Sequence, residues 1–324
     1  MAKDTLGHLV VRLFLDQAEY KAGIKDAEQT TKSFSSTVSS MGDRLGGHLV
    51  NGLKAATAAM TAFGAASTVV GSKFEHQMQA LAAVRGGVSR LSLDYTALEE
   101  KARDLGATTM FTATQAAEGM EQLARAGLSV SETITASEAA LRMAGASGVT
   151  MERSTRFLAA TMRQFSLDAS EAEHITDVFT ETARGSLFDI ESLSEAMKFA
   201  GAAGAAMGMS LEETVTAVAQ FRDLGLDATL AGTNFRMALA GLAKITPKAE
   251  RALAKYGLTT KDVSLKTHSF MEVMVTLGDG MLEVEDHIAI FGKRSGFFAK
   301  KIADSLSIST DAYEDLFKMV TEAS

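Results

Sequence analysis

The stretch LSEAMKFAGAAGAAMGMSLEETVTAVAQFRDLGLDATLAGTNFRMALAGL, residues 193–242, decides the fold. It contains no proline and is dense in alanine, leucine and methionine, which favour helix. Ile190, Leu193, Met197, Ala200 and Gly204 fall on one stripe at helical spacing, and Leu211, Val215, Val218 and Phe221 form a second. Glu212, Glu213, Thr216 and Gln220 lie largely opposite that second stripe. Between the two stripes, Gly208 and Ser210 with Glu213 spell a helix stop followed by a helix start. Glycine just past a helix end admits the left-handed turn that pairs the last carbonyls. Serine with glutamate three residues later satisfies the first free N–H groups.

The same punctuation recurs on both sides. Thr112 with Gln115 opens a helix that Gly127 closes, and Ala116, Met120 and Leu123 repeat the apolar stripe within it. Ser129 with Glu132 opens the next, closed near Gly145. Thr150 caps a helix through Phe165, and Asp168 with Glu171 opens one ending at Gly185. Asp189 caps the helix running to about Met207, and Gly225 stops the one that Ser210 opens. Thr246 and Pro247 give a cap and a first-turn proline, with Gly257 as the stop, and Ser269 with Glu272 starts a shorter helix. The junctions GLSVSE at Gly127, GVTMER at Gly148, GMSLEE at Gly208, GLDATL at Gly225 and GLTTKD at Gly257 share one theme, but their spacing is too irregular for a solenoid.

The expected fold class is therefore all-α: a multi-helix bundle of short capped helices. The exception is LVVRLFL at residues 9–15, which is compatible with a short N-terminal β-strand. Four regions are expected. Residues 1–45 are an N-terminal strand and helix element with a Ser/Gly linker, and 46–73 are a small-residue helix, uncharged over 55–72. Residues 74–304 are the helical core, and 305–324 are a C-terminal helix leading into further chain.

Composition excludes several function classes. Without cysteine there is no disulfide framework, thiolate metal site or cysteine nucleophile. A formal charge of -8 disfavours tight wrapping of nucleic acid, because such binding depends on Lys and Arg neutralising phosphates. The nearest basic patch, Lys293, Arg294, Lys300 and Lys301, reads as a solvated helix face. No histidine pair has i, i+4 spacing. Glu283 and His287 share a helical face, as part of the acidic run Glu283, Glu285, Asp286, and Glu171, Glu173 and His174 also lie close. Neither group implies a third ligand, so metal and cofactor are both read as none. GHLVNGLKA from Gly47 has Leu53 where a phosphate loop needs lysine, and no nucleophile elbow is present, so no catalytic residue is assigned.

Two sets of residues are candidates for close helix contact or self-association. Gly201, Gly204 and Gly208 lack dinucleotide spacing but would let another backbone approach. Ala55, Ala59 and Phe63 lie in the uncharged segment Ala55 to Ser72, whose length just reaches a membrane span but whose hydrophobicity is weak.

LGATTMFTATQAAEGMEQLARAGLS (Leu105 to Ser129), the 193–242 stretch and KAERALAKYGLTTKDV (Lys248 to Val263) together resemble the core region of phage tail tape measure proteins. The resemblance covers roughly Phe74 to Phe298. It implies a non-enzymatic structural protein of the virion tail, made in the host cytoplasm and present in several copies in the tube lumen. Such a protein is scaffold and ruler for the tail tube and is later expelled ahead of the DNA. Implied partners are other copies of the chain, tail tube protein, tail assembly chaperones and baseplate or tail-tip proteins. The alternative is a membrane-active ejection protein that contacts the host membrane through 55–72. A continuous helical rod of this length would reach roughly 490 Å, which the glycine junctions make implausible. The chain is therefore expected to be part of a longer ruler or a short relative.

Overall fold

The computed structural model describes residues 71–84, 89 and 92–323. The chain divides into two compact units, Met1–Glu75 and His76–Ser324, and the helical body is the second. No strand occurs among the described residues, and the strand expected over 9–15 lies outside them.

Residues 71–84 are helical (α1). The elements that follow are α2 (Leu93–Thr108), α3 (Ala113–Arg125), α4 (Val130–Ser147), α5 (Met151–Phe165), α6 (Ala172–Gly185) and α7 (Ile190–Ala206). After them come α8 (Leu211–Asp223), α9 (Ala228–Ala243), α10 (Pro247–Ala254), α11 (Phe270–Asp279), α12 (Val284–Ile308) and α13 (Asp311–Thr321). A single 3-10 turn, Ala169–Glu171, leads into α6.

The local code explains where these helices begin and end. Capping boxes close at Thr112 with Gln115, at Ser129 with Glu132 and at Ser269 with Glu272. The five junction glycines, Gly127, Gly148, Gly208, Gly225 and Gly257, all have positive φ, a conformation that strains any side chain with a Cβ. Replacing Thr112 by alanine removes the acceptor for the Gln115 N–H, 3.2 Å away. We expect a loss of about 1 kcal/mol in urea unfolding; a loss under about 0.3 kcal/mol would show that the box contributes nothing.

Three expectations need correction. α4 does not close near Gly145 but continues to Ser147, and Gly148 supplies the left-handed cap. Glu213 does not reciprocate Ser210 in a capping box; its Oε1 accepts the Phe270 N–H at 2.9 Å and so caps α11 from across the bundle. The third concerns only a helix end: α12 runs on past residue 304 to Ile308, and α13 then packs on α6 and α8.

A continuous cluster of buried residues runs from Leu123 on α3 to Val320 on α13. α8 is its axis. It touches α6, α7, α9, α11, α12 and α13, and buries Leu211, Val215, Val218 and Phe221 together with Thr214 and Thr216. The face read as polar is therefore also enclosed. Thr214 and Thr216 survive burial because their hydroxyls donate to the Ser210 and Glu212 carbonyls, each at 2.8 Å. α12 is two helices joined at Gly292, where φ is 81°. A Cβ at Gly296 would lie 2.6 Å from the Ile288 Cα, so the two arms cross at close range.

Candidate functional site

The bundle holds its crossings with small residues. Gly201 faces Gln164 of α5, and Gly204 faces the Thr214 side chain of α8, so a Cβ at either glycine would collide with that partner. Gly208 lies at the left-handed end of α7, with open space where a Cβ would go. Ala55, Ala59 and Phe63 lie outside the described residues. Sequence reading missed three approaches in which the obstacle is backbone rather than a side chain. A Cβ at Gly232 would strike the Ala196 carbonyl oxygen, one at Gly278 the Ala303 carbonyl oxygen, and one at Gly241 would lie 2.6 Å from that of Ile290. Glycine inside a helix costs about 1 kcal/mol relative to alanine, so glycines that fall within a helix rather than past its end were the available signal.

Polar side chains tie helices together. Asp286, buried at the start of α12, accepts from Lys255 Nζ at 2.6 Å and Tyr256 OH at 2.8 Å. Burial alone would raise its pKa, but these two bonds outweigh it and hold the carboxyl below its ordinary value. Beside it His287 is fully buried and lies against Phe291. Its Nδ1 meets the Glu283 carbonyl, and burial pushes its pKa down. The Glu283 and His287 pairing read from sequence is thus a contact through the Glu283 backbone. Among the described residues, no three His, Asp or Glu side chains cluster as metal ligands.

At one end of α8, Arg222 donates to the Leu187 carbonyl at 3.2 Å and the Leu226 carbonyl at 2.6 Å. Asp223 accepts the Leu187 N–H at 3.2 Å, and its burial raises its pKa. These bonds fasten the α6–α7 turn to the α8–α9 turn. On α6, His174 joins Glu212 of α8 to the Ala323 carbonyl, at 2.7 and 2.9 Å.

An open cleft of about 350 Å³ lies between α3 and α5, flanked by Arg125, Arg156 and Arg163 over Ala159. Arg125 is paired with Glu121 at 2.6 Å and Arg156 with Glu152 at 2.5 Å, which leaves little net positive charge there. Lys293, Arg294 and Lys301 are exposed on α12, while Lys300 is half-buried against Asp304. These arrangements hold helices together and present a charged surface.

The family model for phage-related minor tail protein matches residues 99–306, from within α2 to the last turn of α12. The chain belongs to this family of phage tail proteins. A tape measure protein of Pneumococcus phage Dp-1 is 32% identical over 262 residues, which is 80% of this chain and 22% of that protein. A probable tape measure protein of Escherichia phage P2 is 30% identical over 265 residues, 82% of this chain and 31% of that protein. The chain thus spans between about a fifth and a third of the length of the curated relatives it matches. No solved structure matches. Membership places the bundle in a family of phage structural proteins. Among its described helices, none is long and apolar enough to cross a membrane.

Proposed function

We propose that this chain is the compact helical part of a tail tape measure protein, that it organises tube assembly without catalysing a reaction, and that its own residues do not set the length. The similarity to two tape measure proteins over four-fifths of the chain supports the role. The fold supports the division of labour. Residues 76–323 packed as one body have a radius of gyration of about 18 Å, whereas the same residues in one helix would span about 370 Å. A ruler needs extended length, so the measuring residues lie elsewhere in a longer protein. The body supplies contacts to tail tube protein, assembly chaperones, tail-tip proteins and other copies. Its acidic charge suits a tube lumen through which DNA later passes, because an anionic surface does not retain phosphates.

The test is tail length measured by electron microscopy in phage carrying altered genes. Deleting the codons for 76–323 is expected to abolish regulated tails. Inserting about thirty residues in the 258–268 connection is expected to leave tail length unchanged. Complete tails shortened by about 370 Å after the deletion, or lengthened by about 45 Å after the insertion, would mean that these residues are themselves the ruler.

A further inference from the structure

α13 lies against α6 and α8 and buries Tyr313, Leu316 and Val320. Two residues past its end, the Ala323 carbonyl oxygen meets Nδ1 of His174 at 2.9 Å. Nε2 of the same ring lies 2.7 Å from Oε1 of Glu212. A carbonyl can only accept, so Nδ1 carries a proton. A neutral imidazole has a single N–H, so its Nε2 would then turn a lone pair toward the carboxylate. With Glu212 ionised, only the doubly protonated ring satisfies both neighbours.

We propose that His174 is a proton-operated latch, whose imidazolium clamps the end of α13 onto α6 and α8 and whose deprotonation frees that end.

The surroundings favour the cation. Glu171 at the start of α6 acts on the ring electrostatically, as does Glu212 from α8. Asp177, one turn along α6, feels Glu173, Glu181 and His174 itself. Arg142 of α4, which acts on the neighbouring Asp177, is already engaged by Glu138 at 2.9 Å and Glu173 at 2.5 Å. α13 itself brings the Ala323 carbonyl, with Lys318 and Glu322 exposed and Tyr313 buried and neutral.

Burial would lower the His174 pKa, but the Glu212 bond, the Ala323 carbonyl and the carboxylate charges outweigh it and raise it above the ordinary 6.5. Burial would likewise raise Glu212, yet its bonds from Ser210 and His174 hold it below the ordinary 4.5. Stabilisation from a raised histidine is complete below its unfolded value and is lost as pH rises through the folded value. Stabilisation from a depressed carboxylate is present above its unfolded value and is lost as pH falls through the folded one. The latch therefore holds between the two pKa values and weakens on either side.

Hydrogen–deuterium exchange on the full chain tests this, with intrinsic rates corrected for pH. Across the His174 titration, protection of 311–323 relative to 212–221 is expected to fall about two- to fivefold, the scale of a half-exposed ion pair. His174→Gln keeps size and a neutral donor and should remove the step. Glu212→Gln should move the step to lower pH. An NMR titration of His174 in the unaltered chain needs no variant. A midpoint above 6.5 supports the latch, and a midpoint at or below 6.5 overturns it. A step that persists in His174→Gln, or a flat ratio in the unaltered chain, also overturns it.

Discussion

Replacing Phe221 by alanine is expected to cost the folded chain about 3–5 kcal/mol, the range for emptying a buried aromatic site. Phe221 on α8, Phe235 on α9 and Phe270 on α11 are all fully buried. Their ring centroids are 6.0 Å apart for Phe221–Phe235, 6.5 Å for Phe221–Phe270 and 5.5 Å for Phe235–Phe270. Removing the Phe221 ring takes away two edge or tilted contacts as well as buried area. The surrounding helices cannot close the cavity, because α9 is held against backbone at Gly232 and Gly241. The control is Phe297→Ala. That ring is 51% exposed, and its loss should cost under about 1 kcal/mol. Equilibrium urea unfolding of the full chain reads both. Because one core cluster joins the Phe157–Phe179 stack to the Phe221 group, the helical body should also unfold in a single transition. A Phe221→Ala cost below about 1 kcal/mol, or separate transitions for the Phe157–Phe179 and Phe221 regions of the helical body, would mean that the aromatic group is not integral to a continuous core.

What the sequence made legible, and what it hid, divides along a physical line. Helix ends are local: a capping residue and a glycine act within one turn, so the five junction glycines and most N-caps could be read directly. One buried face per helix is also local, which is why the Ile190–Gly204 stripe was visible. Enclosure on all sides is not local. Thr216 and Glu213 look like solvent residues in a periodic pattern, yet α8 is surrounded: Thr216 is satisfied one turn back in its own helix by the Glu212 carbonyl, whereas Glu213 bonds the Phe270 N–H, a partner that no periodicity encodes. The His174 contacts join residues 38 and 149 positions apart, beyond any local signal. The turn at Gly292 was hidden for another reason. The capping pattern that marks other junctions is missing there, and Lys293 and Arg294 follow the glycine directly.

The glycines packed within helices give the second large effect, and they separate two kinds of close packing. Gly232→Ala and Gly204→Ala are each expected to destabilise the chain by about 1–3 kcal/mol, as overpacking does in a filled core. They differ in what the new methyl meets. At Gly232 the obstacle is the Ala196 backbone: its carbonyl oxygen, then its carbonyl carbon at 2.9 Å. At Gly204 it is the Thr214 side chain, with Cγ2 at 2.8 Å and Cβ at 3.1 Å. A side chain can be trimmed, but a helix backbone cannot. Combining Gly204→Ala with Thr214→Ala should therefore recover part of the loss, so the double variant is less destabilised than the sum of the singles. Combining Gly232→Ala with Ala196→Gly should recover nothing, because the colliding atoms remain. A double-mutant cycle in urea measures both couplings. Equal coupling in the two pairs would show that α7 shifts freely against its neighbours, and the reading of these glycines as fixed crossing points would then be wrong.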